Sequence, residues 1–102
     1  MAYILQVDFP MNGPFGEEMV ETFAGLAESI NQEEGFIWKV WTENPETKEA
    51  GGIYLFETRE TAKKYIDMHM NRLAGFGIID VRSRIFAVND QLTSITGGPL
   101  QR

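Results

Sequence analysis

The feature of this sequence that most constrains its fold is the order of its periodic segments. Four segments have side chains that alternate with the two-residue period of a β-strand, and two repeat their apolar residues every three or four positions, as an amphipathic helix does. The strand-like segments are 2–9, 36–43, 53–58 and 78–88, and the helical segments are about 17–30 and 59–73. The order βαββαβ predicts an α+β ferredoxin-like sandwich, in which two helices cover one face of a four-stranded antiparallel sheet.

Each predicted helix has one apolar stripe that should face the sheet. The stripe of the first helix is Val20, Phe23, Ala24, Ala27 and Ile30, and that of the second is Ala62, Tyr65, Ile66, His69 and Leu73. Thr58 is the predicted N-cap of the second helix, because its hydroxyl can accept a hydrogen bond from an early backbone amide and Thr61 offers a second hydroxyl nearby.

The remaining segments are expected to be connections. Residues 44–52 are polar, with turn-forming residues at both ends, and are expected to form a hairpin loop between the second and third strands. The C-terminal segment 89–102 is a polar tail for which no fold of its own is predicted. With 102 residues and no internal repeat, the chain is expected to form a single domain, 1–102.

Composition argues against several classes of function. The formal charge of -6 repels nucleic-acid phosphates and anionic lipid headgroups. No Cys is present, so disulfides, thiol nucleophiles and thiolate metal sites are excluded. No segment has the length of a membrane span, and residues 1–10 lack the basic start and long apolar stretch of a signal peptide. The expected location is therefore cytoplasmic, with no nucleic-acid or membrane partner.

The second and third strands are apolar on both faces. In the second strand, Phe36, Trp38 and Val40 lie on one face and Ile37 and Trp41 on the other. In the third strand, Ile53 and Leu55 lie on one face and Tyr54 and Phe56 on the other. Because two helices cover only one face of the sheet, the other would expose a large apolar patch. We therefore predict a homodimer whose sheets pack face to face, a dimeric α+β barrel. Alternate positions of the first and fourth strands would supply ion pairs to that layer, namely Gln6, Asp8, Asp80, Arg82 and Arg84.

Aromatic side chains are concentrated where the helices should cover the sheet. The set predicted to bind a small aromatic molecule is Trp38, Trp41, Tyr54, Phe56 and Tyr65. A core needs only apolar side chains, and this set has more aromatic rings and polar ring substituents than a core requires, which favours a pocket between sheet and helices. The alternative interpretation is an ordinary aromatic core. Sequence leaves open which Trp shares a face with Tyr54 and Phe56, because it does not fix the register of the hairpin.

His69 is the only histidine, and it lies on the inward stripe of the second helix. Its side chain ordinarily titrates near neutrality, so it is the candidate catalytic residue, acting as a general base. Desolvation at this position should lower the pKa of the imidazole and keep it neutral. The alternative is a buried structural histidine. No metal site is predicted, since one imidazole without Cys needs converging carboxylates that no spacing here suggests.

Three segments resemble the YdhR family of monooxygenases. They are 8–19 (DFPMNGPFGEEM), 35–43 (GFIWKVWTE) and 51–57 (GGIYLFE), and the resemblance covers essentially the whole chain. More distantly, the chain is similar to the antibiotic-biosynthesis monooxygenases, dimeric α+β barrels that oxidise polycyclic phenols without metal or flavin. The resemblance implies a monooxygenase that acts on small aromatic compounds and needs no cofactor, because an ionised phenol can itself pass an electron to dioxygen.

The sequence also departs from the pattern of that larger family. A Trp near the end of the third strand and a His in the following helix are common there. In this chain Phe56 and either Tyr65 or Ile66 take those places, and His69 lies about one turn later. Two alternatives therefore remain, a non-catalytic dimer that binds or senses a small molecule, and a haem-binding or haem-degrading relative.

Overall fold

A four-stranded antiparallel sheet with the strand order β2-β3-β1-β4 organises the chain. The computed structural model describes residues 1–102. The elements are β1 (Tyr3–Pro10), α1 (Glu17–Ile30), β2 (Phe36–Asn44), β3 (Glu49–Phe56), α2 (Arg59–Gly75), β4 (Arg82–Ala87) and α3 (Asp90–Ile95). The order βαββαβ and the ferredoxin-like arrangement are confirmed, and α3 is an addition. None of the three helices has the length and apolar character needed to cross a membrane.

The register of the sheet assigns each side chain to one of two faces. Tyr54 lies opposite both Leu5 and Lys39, and Gly52 lies opposite both Val7 and Trp41. Directly opposed residues of antiparallel strands share a face, so these six lie together on the side covered by α1 and α2. The main core is on this side, and Leu5, Tyr54 and Phe56 are at most 1% exposed. We call the opposite side the outer face.

The two main helices differ in how well the sequence predicted their contacts. The buried residues of α2 are the five of the predicted stripe, and Thr58 and Thr61 form the expected cap, with Thr58 Oγ1 accepting from the Thr61 amide at 3.0 Å. The stripe predicted for α1 is partly wrong. Met19 is buried while Val20 is 66% exposed, because a run of larger side chains, Met19, Phe23, Leu26 and Ile30, buries more apolar area than the predicted one.

The connection between β2 and β3 is shorter than predicted. β3 begins at Glu49, so the turn is only Pro45–Lys48, and Lys48 adopts the left-handed backbone conformation (φ 58°) that the reversal requires. Gly51 and Gly52 lie within the strand, opposite Asp8 and Val7. A side chain at Gly51 would collide with the Val7 carbonyl, so this glycine marks a close approach of two strands rather than a loop.

The fourth strand is also shorter than the predicted 78–88. It starts at Arg82, because Gly77 and Asp80 both take positive φ (81° and 60°) and interrupt the extended backbone. Asp80 therefore does not belong to the polar layer of the sheet. The predicted ion pairing is present at Arg82, which contacts Asp8 and reaches Glu49 Oε2 at 2.8 Å on the outer face.

The C-terminal segment has more structure than the sequence suggested. Asn89 caps the short helix α3 by accepting from the Leu92 amide at 3.0 Å. Further on, the Pro99 carbonyl accepts from Trp38 Nε1 at 3.1 Å, and Arg102 donates to Asn31 Oδ1 at 2.8 Å. These bonds lay the tail across the outer face towards β2, where Leu55 is completely buried. The chain thus covers part of this face itself.

Candidate active site

A small enclosed cavity lies between the sheet and the two main helices. Its volume is about 30 Å³, and eleven of its fourteen lining residues are hydrophobic. Strands β1, β2 and β3 form its floor, α1 and α2 form its walls, and Lys39, Trp41, Tyr54 and His69 are the residues that carry a nitrogen or hydroxyl in the side chain. This space suits one or two water-sized groups in an otherwise apolar setting.

The cavity lies on the inner side of a larger depression, with which it shares part of its wall. A surface groove of about 830 Å³ shares four lining residues with it, namely Met11, Phe23, Leu26 and Ile78. The groove lies mainly between the β1–α1 loop and the segment after α2, and its other walls are one side of α1 and the β2–β3 turn. Its size matches that of small-molecule sites, but the groups able to do chemistry lie on the inner side.

The predicted aromatic set is divided between the two faces of the sheet. Trp41, Tyr54 and His69 line the cavity, and Tyr65 and Phe56 pack behind them. Trp38 instead lies on the outer face, bonded to the tail. A bulge between Phe36 and Trp38 shifts the register, so that Phe36 joins the helix-covered face together with Lys39 and Trp41. Trp41 is therefore the tryptophan that shares a face with Tyr54 and Phe56.

A stack of rings connects β3 to α2. Tyr65 packs 5.0 Å from Tyr54 and 5.1 Å from His69, measured between ring centroids, and the two tyrosine hydroxyls are 3.2 Å apart. Burial is the main cause that raises the pKa of both hydroxyls above their ordinary value. Both tyrosines therefore stay neutral and serve as hydrogen-bonding groups, not as anions.

Lys39 is the functional candidate that the sequence-based prediction missed. Its Nζ lies 3.2 Å from the centroid of the Trp41 ring and 4.7 Å from that of Tyr54. A Cβ at Gly52 would collide with Lys39 Cε, so this glycine leaves the space that the lysine stem fills. The sequence feature that could have identified Lys39 is the two-residue period of the strand, which places Lys39 on the same face as Trp41.

The environment of Lys39 favours the neutral amine far more than water does. Burial, and secondly the charge of Arg72, lower the pKa of Lys39 from 10.5 to about 7. The Trp41 ring acts in the opposite direction, since its π face stabilises an ammonium ion. The balance leaves an amine that changes protonation near neutrality, which is the property required of a general base.

His69 is neutral, as its buried position predicted. Burial, then Arg72 and Lys39, lower the pKa of His69 from 6.5 to about 3. Its Nδ1 accepts from Arg72 Nε at 3.1 Å, with Nη2 at 3.0 Å. Arginine has no acceptor atom, so Nδ1 must carry the lone pair and Nε2 must carry the proton. The ring is therefore arranged to donate a hydrogen bond through Nε2, and taking up a proton would require release of Arg72.

The cavity is electropositive within an acidic protein. None of its lining residues is Asp or Glu, whereas Lys39 lines it and Arg72 lies directly behind His69. The formal charge of the chain is -6. The site therefore favours a small anion at its inner end, surrounded by apolar and aromatic walls.

Comparison with solved structures finds a protein of similar fold. A structure described as a putative antibiotic biosynthesis monooxygenase from Deinococcus radiodurans superposes with a TM-score of 0.57, covering 87% of this chain and 93% of that chain. The two sequences are only 9% identical, so this similarity shows the fold alone.

Sequence comparison gives the family. Residues 4–99 match the family model described as "Putative mono-oxygenase ydhR", and the chain belongs to this family. Among curated proteins, none matches the chain. The family resemblance inferred from the sequence is thus confirmed over nearly its entire length.

Proposed function

We propose that this protein is a cofactor-independent monooxygenase of small aromatic compounds. The observation that carries the proposal is the enclosed cavity, in which a buried amine and a histidine N–H lie among aromatic walls with no carboxylate. Membership of the ydhR family supports the reaction class. The aromatic body of the substrate would lie in the groove, with its hydroxyl or enol end in the cavity.

The proposed reaction places the difficult electron transfer on the substrate itself. A phenol or anthrone loses a proton, and its anion passes an electron to dioxygen. Recombination and loss of water give a quinone, with one oxygen atom in the new carbonyl and the other in the water. Substrate and dioxygen balance without an external reductant. The protein's part is to bind the substrate, promote its ionisation and exclude water.

The proposed assembly is a homodimer built across the outer face. Leu55 on this face is completely buried, but Val40 and Phe86 are 55% and 41% exposed. Apolar side chains of this size beside the Arg82–Asp8 pair form a mixed surface typical of sheet-to-sheet contacts. A dimer mass in sedimentation at micromolar protein would support the proposal, and a concentration-independent monomer mass would contradict it.

Oxygen consumption with an anthrone-type substrate tests the activity. The protein should raise the rate well above spontaneous oxidation, consume one dioxygen per quinone formed, and keep its activity after treatment with a chelator. A rate equal to that of buffer would contradict the proposal. Binding of the same compound without turnover would favour the non-catalytic module, and an absorbance band of coordinated iron after haemin addition would favour the haem-binding alternative.

A further inference from the structure

We propose that Lys39 is the residue that takes the proton of the ligand's acidic hydroxyl, so that the site selects acidic phenols and holds them as phenolates. The inference rests on the proposed function, which it extends by naming the proton acceptor and the ligand class. In the proposed step the phenolic O–H bond breaks, its electron pair stays on oxygen, and the proton passes to the lone pair of Nζ. The products are a phenolate and an ammonium ion in contact.

The position of Nζ supports this role. No hydrogen bond within the chain uses Lys39 Nζ, yet no buried side-chain nitrogen or oxygen is left without a partner. Nζ therefore borders open space, and Lys39 lines two spaces, the small cavity and a separate surface groove of about 280 Å³ next to α1. The Tyr54 ring beside Nζ lines the cavity and not the groove, which favours the cavity as the space that the amine reaches. The aliphatic part of the Lys39 side chain fills the space that Gly52 leaves free, and its amine lies against the Trp41 ring. A surface lysine has neither constraint, and its amine would be fully solvated.

His69 complements Lys39 in this arrangement and does not compete with it for the proton. Since Arg72 occupies Nδ1, the imidazole offers only Nε2–H. Nε2 also has no partner within the chain, so it too borders open space. A phenolate formed at Lys39 would thus find a second donor in the same cavity, and the Arg72 charge behind it would favour the anion further.

The charged and titratable groups that line the cavity with Lys39 favour an anionic ligand, whereas Glu28 of α1 lines the separate surface groove that Lys39 also borders. From α2 it faces His69 and the Arg72 charge, and from β3 it faces Tyr54. The parts of α1 and β1 that line the cavity carry no titratable side chain. With its pKa lowered to about 7, the amine is available as a base at neutral pH, which an ordinary lysine is not.

A nitrophenol serves as a probe, because its phenolate absorbs visible light and its phenol form does not. Bound to the wild-type protein at about pH 6, it should be ionised to a greater extent than in buffer, with its pKa lowered by at least about one unit, or tenfold in the ionisation constant. In Lys39→Met the apolar site should reverse the effect and raise the probe's pKa above that in buffer. Lys64→Met, an exposed lysine of α2, is the control and should behave as wild type.

Lys39→Arg separates charge from proton transfer. It keeps a positive group in the cavity, so it should still bind the phenolate form, but guanidinium cannot accept a proton. Turnover of a phenol should therefore fall by about 10² to 10⁴-fold in this variant. Melting curves verify that each variant is folded, and removal of a buried amine from an apolar site favours a folded Lys39→Met.

The outcomes distinguish this inference from the proposed function. Equal ionisation of the bound probe in wild type and Lys39→Met would overturn the role of Lys39 and leave the pocket intact. Failure of wild type to bind any phenol would overturn the pocket, and the inference with it. A lowered probe pKa in wild type and Lys64→Met, together with a raised probe pKa in Lys39→Met, would establish Lys39 as the group that ionises the ligand.

Discussion

On the helix-covered face of the sheet Leu5, Tyr54 and Phe56 are at most 1% exposed, whereas on the outer face Val40 is 55% and Phe86 41% exposed. Both faces are built from the same strands with the same two-residue alternation. They differ in what covers them, two helices on one side and an irregular tail on the other. Cover by two helices buries the centre of one face, and at the edge of that centre the protonation of a single amine is changed by its surroundings. Partial cover leaves the other face as a surface suited to association.

The charged residues show the same difference. Arg82 on the outer face pairs with Asp8 and Glu49, and its side chain is 63% exposed. Such pairs contribute little to stability, about 0 to 1 kcal/mol each. Lys39 on the inner face has no carboxylate partner and is surrounded by rings. An unpaired buried amine costs stability, which favours a functional role for it over a structural one.

Truncation of a core side chain should produce the largest loss of stability, and the size of the loss should differ between the two faces of the sheet. Leu5→Ala, at a completely buried site, should lower the free energy of unfolding by about 2 to 5 kcal/mol. The matched change Val40→Ala on the outer face should alter it by no more than about 0.5 kcal/mol in the monomer. Urea unfolding of the two variants measures the contrast, and similar losses at both positions would contradict it.

Substitution of His69 should affect turnover more than affinity. If Nε2–H donates to the ionised substrate, His69→Ala should lower the rate by about 10² to 10³-fold, the usual cost of losing one such donor. His69→Gln retains an N–H donor and should recover a substantial part of that rate. A His69→Gln variant as inactive as His69→Ala would instead support the base role predicted from sequence, because glutamine cannot take the proton.

Lys39 should make the stability of the protein depend on pH in an unusual direction. Its pKa is 10.5 when unfolded and about 7 when folded, so over this range the unfolded state binds more protons. Wild-type stability should therefore rise as pH increases from about 7 towards 10.5. Lys39→Met should be the more stable protein below about pH 7, by on the order of 5 kcal/mol, which is the free-energy equivalent of a pKa lowered from 10.5 to about 7, and the advantage should vanish near pH 10.5.

Melting temperatures of wild type and Lys39→Met over this pH range provide the measurement, with Lys64→Met as control. A constant difference between wild type and Lys39→Met would show that the amine is protonated in the folded protein throughout. That result would remove the basis for a base near neutrality.

The smallest of these effects concerns the tail. Trp38→Phe removes the hydrogen bond to the Pro99 carbonyl and should cost about 1 kcal/mol. Hydrogen exchange of residues 96–100 should become faster, while exchange in the helix-covered core should not change. Trp41→Phe is the matched control and should leave the tail protected. Unchanged exchange in Trp38→Phe would show that this bond does not hold the tail on the outer face.

The sequence predicted those parts of the fold in which local pattern and tertiary packing agree. The α2 stripe and the Thr58 cap have one consistent pattern, and both were correct. On α1 two apolar stripes overlap, and only the packing against the sheet selects Met19 over Val20. The glycines at 51 and 52 have the composition of a turn, but the space beside them is filled by a neighbouring strand and by the stem of Lys39.

The candidate site was predictable only in part for a similar reason. Aromatic density and the position of His69 pointed to the correct region. The two-residue alternation already placed the two tryptophans on opposite faces, but the bulge after Phe36 moved Phe36 to the face of Trp41, and a one-residue shift of this kind has no mark in the sequence. Lys39 was overlooked because a lysine in a strand is ordinarily exposed. Its burial depends on a partner strand that supplies a glycine, Gly52, at the diagonal position opposite Trp41.

The central claim is that aromatic ligands bind on the helix-covered face and not on the outer face, and the two tryptophans report on these faces separately. Incorporation of fluorotryptophan gives one fluorine NMR signal for Trp41 beside Lys39 and one for Trp38 beside the tail, assigned with the two Trp→Phe variants. On titration with a nitrophenol, the Trp41 signal should shift and saturate while the Trp38 signal stays in place. A shift of the Trp38 signal with Trp41 unmoved would contradict the account.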